Sequence, residues 1–186
     1  MYGLKSGWGA ILGYHLGIVL LLSTTGGWPR IKRLWTGWHT ALGLTLVLIC
    51  ALSGLVIYLL WPLIQLDGIH LGQALNEYGL TGNAWVGFVV YYAFVNPWLE
   101  ELFWRGHFAS RIRYPAIGDL FFAGYHVLVL ILFVTWVWAV LAFLVLFVTA
   151  RLWRYCVNQT NGLLIPALSH LIADISVITA IAILAL

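Results

Sequence analysis

In the segment NPWLEELFWRGHF, residues 96–108, two adjacent carboxylates, Glu100 and Glu101, are followed by Arg105 within an otherwise apolar run. Glu101 and Arg105 stand at i and i+4 with the acid first, the favourable order for an ion pair within a helix. That pairing accounts for one acid and reads first as structural. Glu100 projects about 100° around the helix from Glu101 and has no partner in its own segment. Two other segments carry groups able to meet it. FFAGYH sets Phe122 and His126 at i and i+4, and PALSHLIAD sets His170 and Asp174 at the same spacing, each pair on one helical face. A carboxylate kept from bulk water is suited to take a proton from a bound water and return it to a leaving amine, and Glu100 is the candidate for that base. His126 could hold the water or share its proton. His170 could donate to the oxyanion formed when a carbonyl is attacked, with Asp174 fixing its tautomer or charge. The same set could instead ligate Zn²⁺ through Glu100, His126 and His170. No helical HExxH pattern accompanies it, so zinc ranks second and no cofactor is expected.

Only helices within a bilayer can hold such groups in this chain. Its 186 residues are 63% hydrophobic and 8% charged, with a mean hydropathy of +0.98, whereas a soluble domain has roughly a quarter of its residues charged. The length accommodates about six spans of ~20 residues and no separate soluble domain. The expected architecture is therefore all-α, a polytopic bundle of about six transmembrane helices forming a single domain over residues 1–186. The chemistry-bearing core covers about 85–180. Apolar segments run at about 8–24, 38–63, 85–108, 117–133, 136–150 and 162–186. A single helix over 117–150 would be ~50 Å long against a hydrocarbon core of ~30 Å, so the chain must turn back, and VTWVW is the expected place. The loop at 65–84 has Leu71, Leu75 and Tyr78 at helical spacing and is expected to form a short interfacial helix.

Charge supports the six-span count. Arg30, Lys32 and Arg33, then Arg111 and Arg113, then Arg151 and Arg154 fall in alternate loops, so all three loops share one face. By the positive-inside rule that face is cytoplasmic, and both termini lie outside. The net charge of +3 thus marks topology and not a nucleic-acid partner. The first apolar run resembles a signal peptide in length, but the basic residues after it favour an uncleaved span. Cys50 and Cys156 are separated in sequence and setting and read as packing residues.

An ionisable group at membrane depth costs at least a few kcal/mol and normally faces a protein interior or cavity with a partner. Counted from the basic end of each helix, Glu100 and Glu101 fall at roughly 15–18 Å, His126 at about 11–14 Å, His170 at about 12 Å and Asp174 at about 18 Å. Acids and imidazoles from three helices thus share one slab near the midplane. Random placement of six histidines and six acids would seldom do that. Pro97 and Pro166, three and four residues ahead of Glu100 and His170, can kink their helices beside this cluster. His15, His39 and His70 lack matching partners and read as structural or interfacial, as does His107. Trp35, Trp38, Trp136 and Trp138 read as interface anchors.

These residues resemble the CAAX-protease and bacteriocin-processing family (CPBP, or Abi) of intramembrane peptidases, which includes the prenyl-protein endopeptidase called Ras converting enzyme. EELFWRG is similar to its EExxxR motif, FAGYH to FxxxH and HLIAD to a closing HxxxN/D. The resemblance implies a glutamic-type membrane peptidase in which Glu100 is the base, Arg105 holds Glu101, His126 binds the water, and His170 with residue 174 stabilises the oxyanion. Phe122 is the candidate substrate contact. One position departs: many members have Asn where this chain has Asp174, and an ionised Asp cannot donate to an oxyanion. Bacterial members are linked to bacteriocin maturation or self-immunity and to processing of membrane-anchored sorting signals.

The reading is a multi-pass cell-membrane endopeptidase that cleaves a membrane-anchored or lipidated protein near its C-terminal region by Glu/His-activated water. The bilayer and that substrate are its partners. Alternatives from other classes are a proton- or metal-coupled transporter, which inverted repeats would support and which the sequence lacks, and a noncatalytic immunity or scaffold protein.

Overall fold

A computed structural model describes residues 5–108 and 116–186. Among the described residues the regular structure is helical, with one isolated bridge between Gln65 and Val134. The α-helices are α1 (Gly7–Thr24), α2 (Thr40–Ala51), α3 (Ser53–Ile64), α4 (Leu71–Glu77), α5 (Gly82–Glu101), α6 (Ile117–Leu130), α7 (Trp136–Thr160) and α8 (Leu164–Leu184). A 3₁₀ segment, Trp28–Trp35, follows α1, and α5 passes directly into a π-helical turn, Leu102–His107.

Four stretches are long and apolar enough to cross a membrane: α1, α2 with α3 as Thr40–Ile64, α7 and α8. Their outer faces expose Leu16, Leu48, Leu59 and Val145. Closed helical backbones with apolar side chains outward are what a bilayer demands. The chain is a multi-pass helical membrane protein. The count of six spans is met by length and composition at four. α6, at 14 residues, is shorter than the ~20 that a span needs, and α5 carries polar residues that lower its hydropathy.

Between α2 and α3 a side chain from α8 enters the helical ladder. Ser176 Oγ accepts from Gly54 N–H at 2.9 Å and donates to the Ala51 carbonyl at 2.7 Å. Satisfying both groups from outside lets the helix break at Leu52 without orphaning its backbone. A Cβ at Gly54 would collide with the Ser176 carbonyl, so glycine there permits α3 to lie directly on α8. α8 also packs on α2, α5 and α7 and forms the axis of the bundle.

The expected end of the fifth apolar segment near residue 150 is corrected. α7 continues to Thr160, because Trp153, Cys156 and Val157 pack inward on that extension. Arg151 and Arg154 therefore sit on a helix, not in a loop. Arg154 is buried and meets Asp119 of α6 with Nη2–Oδ2 at 2.6 Å and Nε at 3.2 Å from both carboxylate oxygens. α7 ends at Asn161, whose left-handed conformation (φ 54°) is one that Asn tolerates. The chain reverses between α6 and α7 over residues 131–135, which include the first two residues of VTWVW.

Loop one and the α7–α8 link share an end of the bundle. Leu163 N–H donates to Arg33 O at 2.7 Å, Leu164 N–H to Thr36 O at 3.0 Å, and Arg33 Nε to Asn161 O at 3.1 Å. At the other end of α1, Lys5 meets Glu77 at 3.3 Å. The short helix expected in loop two is α4, with Leu71 and Leu75 buried. Arg111 and Arg113 lie outside the described residues.

Candidate active site

Pro97, buried within α5, has no N–H to give the carbonyl four residues back, which loosens the ladder one turn before the acids. The π-helical turn begins immediately after them at Leu102, and such turns inside helices frequently mark functional sites. Glu100 and Glu101 sit between these two irregularities, both with 0% exposure.

Glu101 and Arg105 form the expected i,i+4 pair, with Nη1–Oε1 at 2.9 Å and both side chains buried. Arg105 lies with its guanidinium carbon 4.0 Å from the Phe122 ring centroid and 4.8 Å from that of Trp153. Phe122, itself 1% exposed, thus supports Arg105 and abuts His126 edge-on with ring centroids 4.7 Å apart. Phe122, the expected substrate contact, is walled in here by the site's own cation and imidazole.

His170 joins both acids. Its Nδ1 lies 2.9 Å from Glu101 Oε1, and its Nε2 lies 3.8 Å from Glu100 Oε2 and 3.5 Å from Asp174 Oδ1. Of these the Nδ1–Glu101 contact is a hydrogen bond and sets Nδ1 as a donor, while Nε2 faces the other two carboxylates at longer range. Its ring stacks on Trp153 at 4.8 Å. Glu101 faces Nδ1, a role in orienting His170 that the sequence pattern had suggested for Asp174.

His126 reaches Glu100 through an intermediary. Tyr125 donates its hydroxyl hydrogen to Glu100 Oε1, and the same hydroxyl is 3.1 Å from His126 Nε2. His126 Nδ1 donates to the Phe122 carbonyl at 2.7 Å. Tyr14 of α1 adds a second phenol beside Glu100; it accepts from Trp104 Nε1 at 3.0 Å and packs on Tyr125 with ring centroids 4.8 Å apart.

Asp174 is tied on its other oxygen. Asn96 Nδ2 donates to Asp174 Oδ2 at 3.0 Å, Asn96 Oδ1 faces His15 Nε2 at 3.0 Å, and His15 Nδ1 faces the Tyr91 hydroxyl at 2.8 Å. Among the described residues, the buried side-chain atoms without a hydrogen-bond partner are Glu100 Oε2, Glu101 Oε2, Arg105 Nη2 and Trp153 Nε1.

This is a set of acids, imidazoles and phenols able to move protons at membrane depth. The family described as type II CAAX prenyl endopeptidase, Rce1-like, matches residues 82–176, just over half of the chain. The chain belongs to the Rce1-like family of type II CAAX prenyl endopeptidases. It is accordingly a membrane protease of the CAAX type. No curated protein and no solved structure matches it. The Rce1-like stretch contains Glu100, Glu101, Arg105, Phe122, His126, His170 and Asp174, and it leaves out α1 with Tyr14 and His15.

The residues of the zinc set considered from the sequence, Glu100, His126 and His170, all border this site. The Tyr125 hydroxyl stands between Glu100 and His126, and among the described residues no group of three His, Cys, Asp or Glu side chains converges as metal ligands do. Sequence reasoning missed Tyr125, Tyr14, Asn96, His15 and Trp153. Asn96 carried a signal, standing one turn before Glu100, and so did Tyr125, beside His126. His15 carried none, since its partner Asn96 is 81 residues away. His107 bonds Thr25 and Arg30, and His39 accepts the Leu42 N–H at the start of α2, roles in keeping with a structural reading.

Proposed function

We propose that this CAAX-type endopeptidase cleaves a membrane-anchored or lipidated protein near its C-terminal region, using Glu100 as the general base in a glutamic-type, metal-independent reaction. The observation that carries the reading is the contrast within Glu100. One carboxylate oxygen is occupied by Tyr125, while the other is buried, unpartnered among the described residues, and 3.8 Å from an imidazole nitrogen.

In this reading a water between Glu100 Oε2 and the scissile carbonyl gives its proton to Glu100 as its oxygen bonds to the carbonyl carbon. The resulting oxyanion is met by the N–H of His170, which Glu101 and Asp174 hold in orientation. Glu100 then passes its proton to the leaving nitrogen, the C–N bond breaks, and a carboxylic acid and an amine are released. The Tyr125 hydroxyl, beside His126, occupies Glu100 Oε1 and leaves Oε2 for the water. Arg105 neutralises Glu101, and a guanidinium held over aromatic faces away from water gains about 2 kcal/mol or more from that contact. Phe122 is a platform for this arrangement.

We place the enzyme in the cell membrane with both termini outside the cytoplasm, so the reacting groups lie near the midplane and the scissile segment must enter the bilayer to meet them. A lipid attachment would bring it there. The test is mass spectrometry of membrane proteins in cells carrying Glu100→Gln: proteins retaining a longer C-terminal region should accumulate relative to wild type. An unchanged set of C-termini would overturn the reading.

A further inference from the structure

His15 has no part in the chemistry above, yet it is 3% exposed in the middle of an apolar helix outside the family-matched stretch. A polar ring buried there costs free energy unless both nitrogens are satisfied. They are, and the partners dictate where each hydrogen lies. Asn96 uses its amide nitrogen to donate to Asp174 Oδ2, so its carbonyl oxygen is left as an acceptor. His15 Nε2, 3.0 Å from that oxygen, must therefore carry a hydrogen. In the neutral ring Nδ1 is then the acceptor, and the Tyr91 hydroxyl donates to it at 2.8 Å. All three bonds run in one direction: Tyr91 to His15, His15 to Asn96, Asn96 to Asp174.

The chain ends on a carboxylate that faces the site. Fixing Oδ2 as an acceptor turns Oδ1 toward His170 Nε2, 3.5 Å away. Apolar side chains would fill the same volume without desolvating an imidazole and an amide, and the hydrogen-bonded chain terminates on Asp174 instead of on backbone groups of its own helices.

We infer that His15 is a positioning residue, through which α1 acts by way of Asn96 to hold the Asp174 carboxylate that orients His170. The kinetic consequence rests on the peptidase reading; the coupling between His15 and His170 does not.

The test uses the full chain with ¹⁵N-labelled histidine in lipid nanodiscs, together with cleavage of a farnesylated fluorogenic peptide. His15→Leu should move the His170 ring-nitrogen signals and lower kcat by roughly ten- to a hundredfold with KM unchanged, the scale of a small misplacement of a reacting group. In an Asp174→Ala background the same substitution should add nothing, because coupled residues are not additive. His15→Gln, whose amide nitrogen reaches the position of Nε2, should restore both signals and rate. Should His15→Leu fail to fold, Tyr91→Phe removes only the first donor and should give a smaller shift of the same signals. His170 signals that stay in place in the folded variant, an undiminished His15 effect without Asp174, or Gln as damaging as Leu would each overturn the inference. Coupled signals in a wild-type protein that does not cleave the peptide would keep the positioning role and count against the peptidase reading on that substrate.

Discussion

Arg154 and Asp119 clasp α7 to α6 with three contacts between guanidinium and carboxylate, and Asp119 also accepts the Ala116 N–H at 3.1 Å. Next to them, across Phe122 and Trp153, Glu100, Glu101, Arg105, His170 and Asp174 are buried just as deeply, yet Glu100 Oε2, Glu101 Oε2 and Arg105 Nη2 have no hydrogen-bond partner among the described residues. Burying an ion costs several kcal/mol, and the cost is offset only when its hydrogen-bonding capacity is used. The first cluster uses it on a carboxylate and a helix start. The second leaves capacity open where a carbonyl and a water could meet it. The difference is between charge that joins helices and charge that, in the proposed reaction, is held ready for a substrate.

Substitutions at the two clusters should therefore fail in different ways. Arg154→Leu leaves Asp119 buried beside an apolar side chain and should destabilise the protein by about 3–5 kcal/mol, read as a lowered unfolding midpoint in detergent. Activity that survives per folded molecule would confirm that the clasp is structural; a folded but inactive variant would blur the distinction. Tyr125→Phe removes one hydroxyl between Glu100 and His126 and should lower kcat by about 10- to 100-fold, the worth of one hydrogen bond to a charged group, while leaving Glu100 Oε1 short of a donor should cost about 1–3 kcal/mol of stability, less than Arg154→Leu. A rate equal to wild type would remove Tyr125 from any part in the reaction. Lys5→Ala, at an ion pair whose side chains are 68% and 65% exposed, should change neither rate nor stability measurably, since exposed pairs contribute about 0–1 kcal/mol.

What the sequence makes legible follows the range of each interaction. Glu101 with Arg105 and His170 with Asp174 are pairs one turn apart, so helical periodicity alone brings them together. Convergence of Glu100 with His170 is legible one step further, by counting depth along helices of known rise. The His15–Asn96–Asp174 chain is not legible, because each bond joins residues on different helices and no local spacing encodes how α1 is rotated against α5. Arg154 shows a different failure. A basic residue near a helix end reads as topology, and only the position of α6 reveals Asp119 as its partner. The break at Leu52 likewise depends on Ser176, a hydroxyl that lies on another helix. The expected turn within VTWVW, by contrast, needed only the thickness of a bilayer.

The central claim is that Glu100 takes the proton from water. Glu100→Gln keeps the shape of the side chain and removes the base, so the purified variant in proteoliposomes should lose cleavage of a membrane-anchored substrate by about 10²- to 10⁴-fold, with an unfolding midpoint equal to that of wild type. A folded Glu100→Gln protein that cleaves at the wild-type rate would contradict the account.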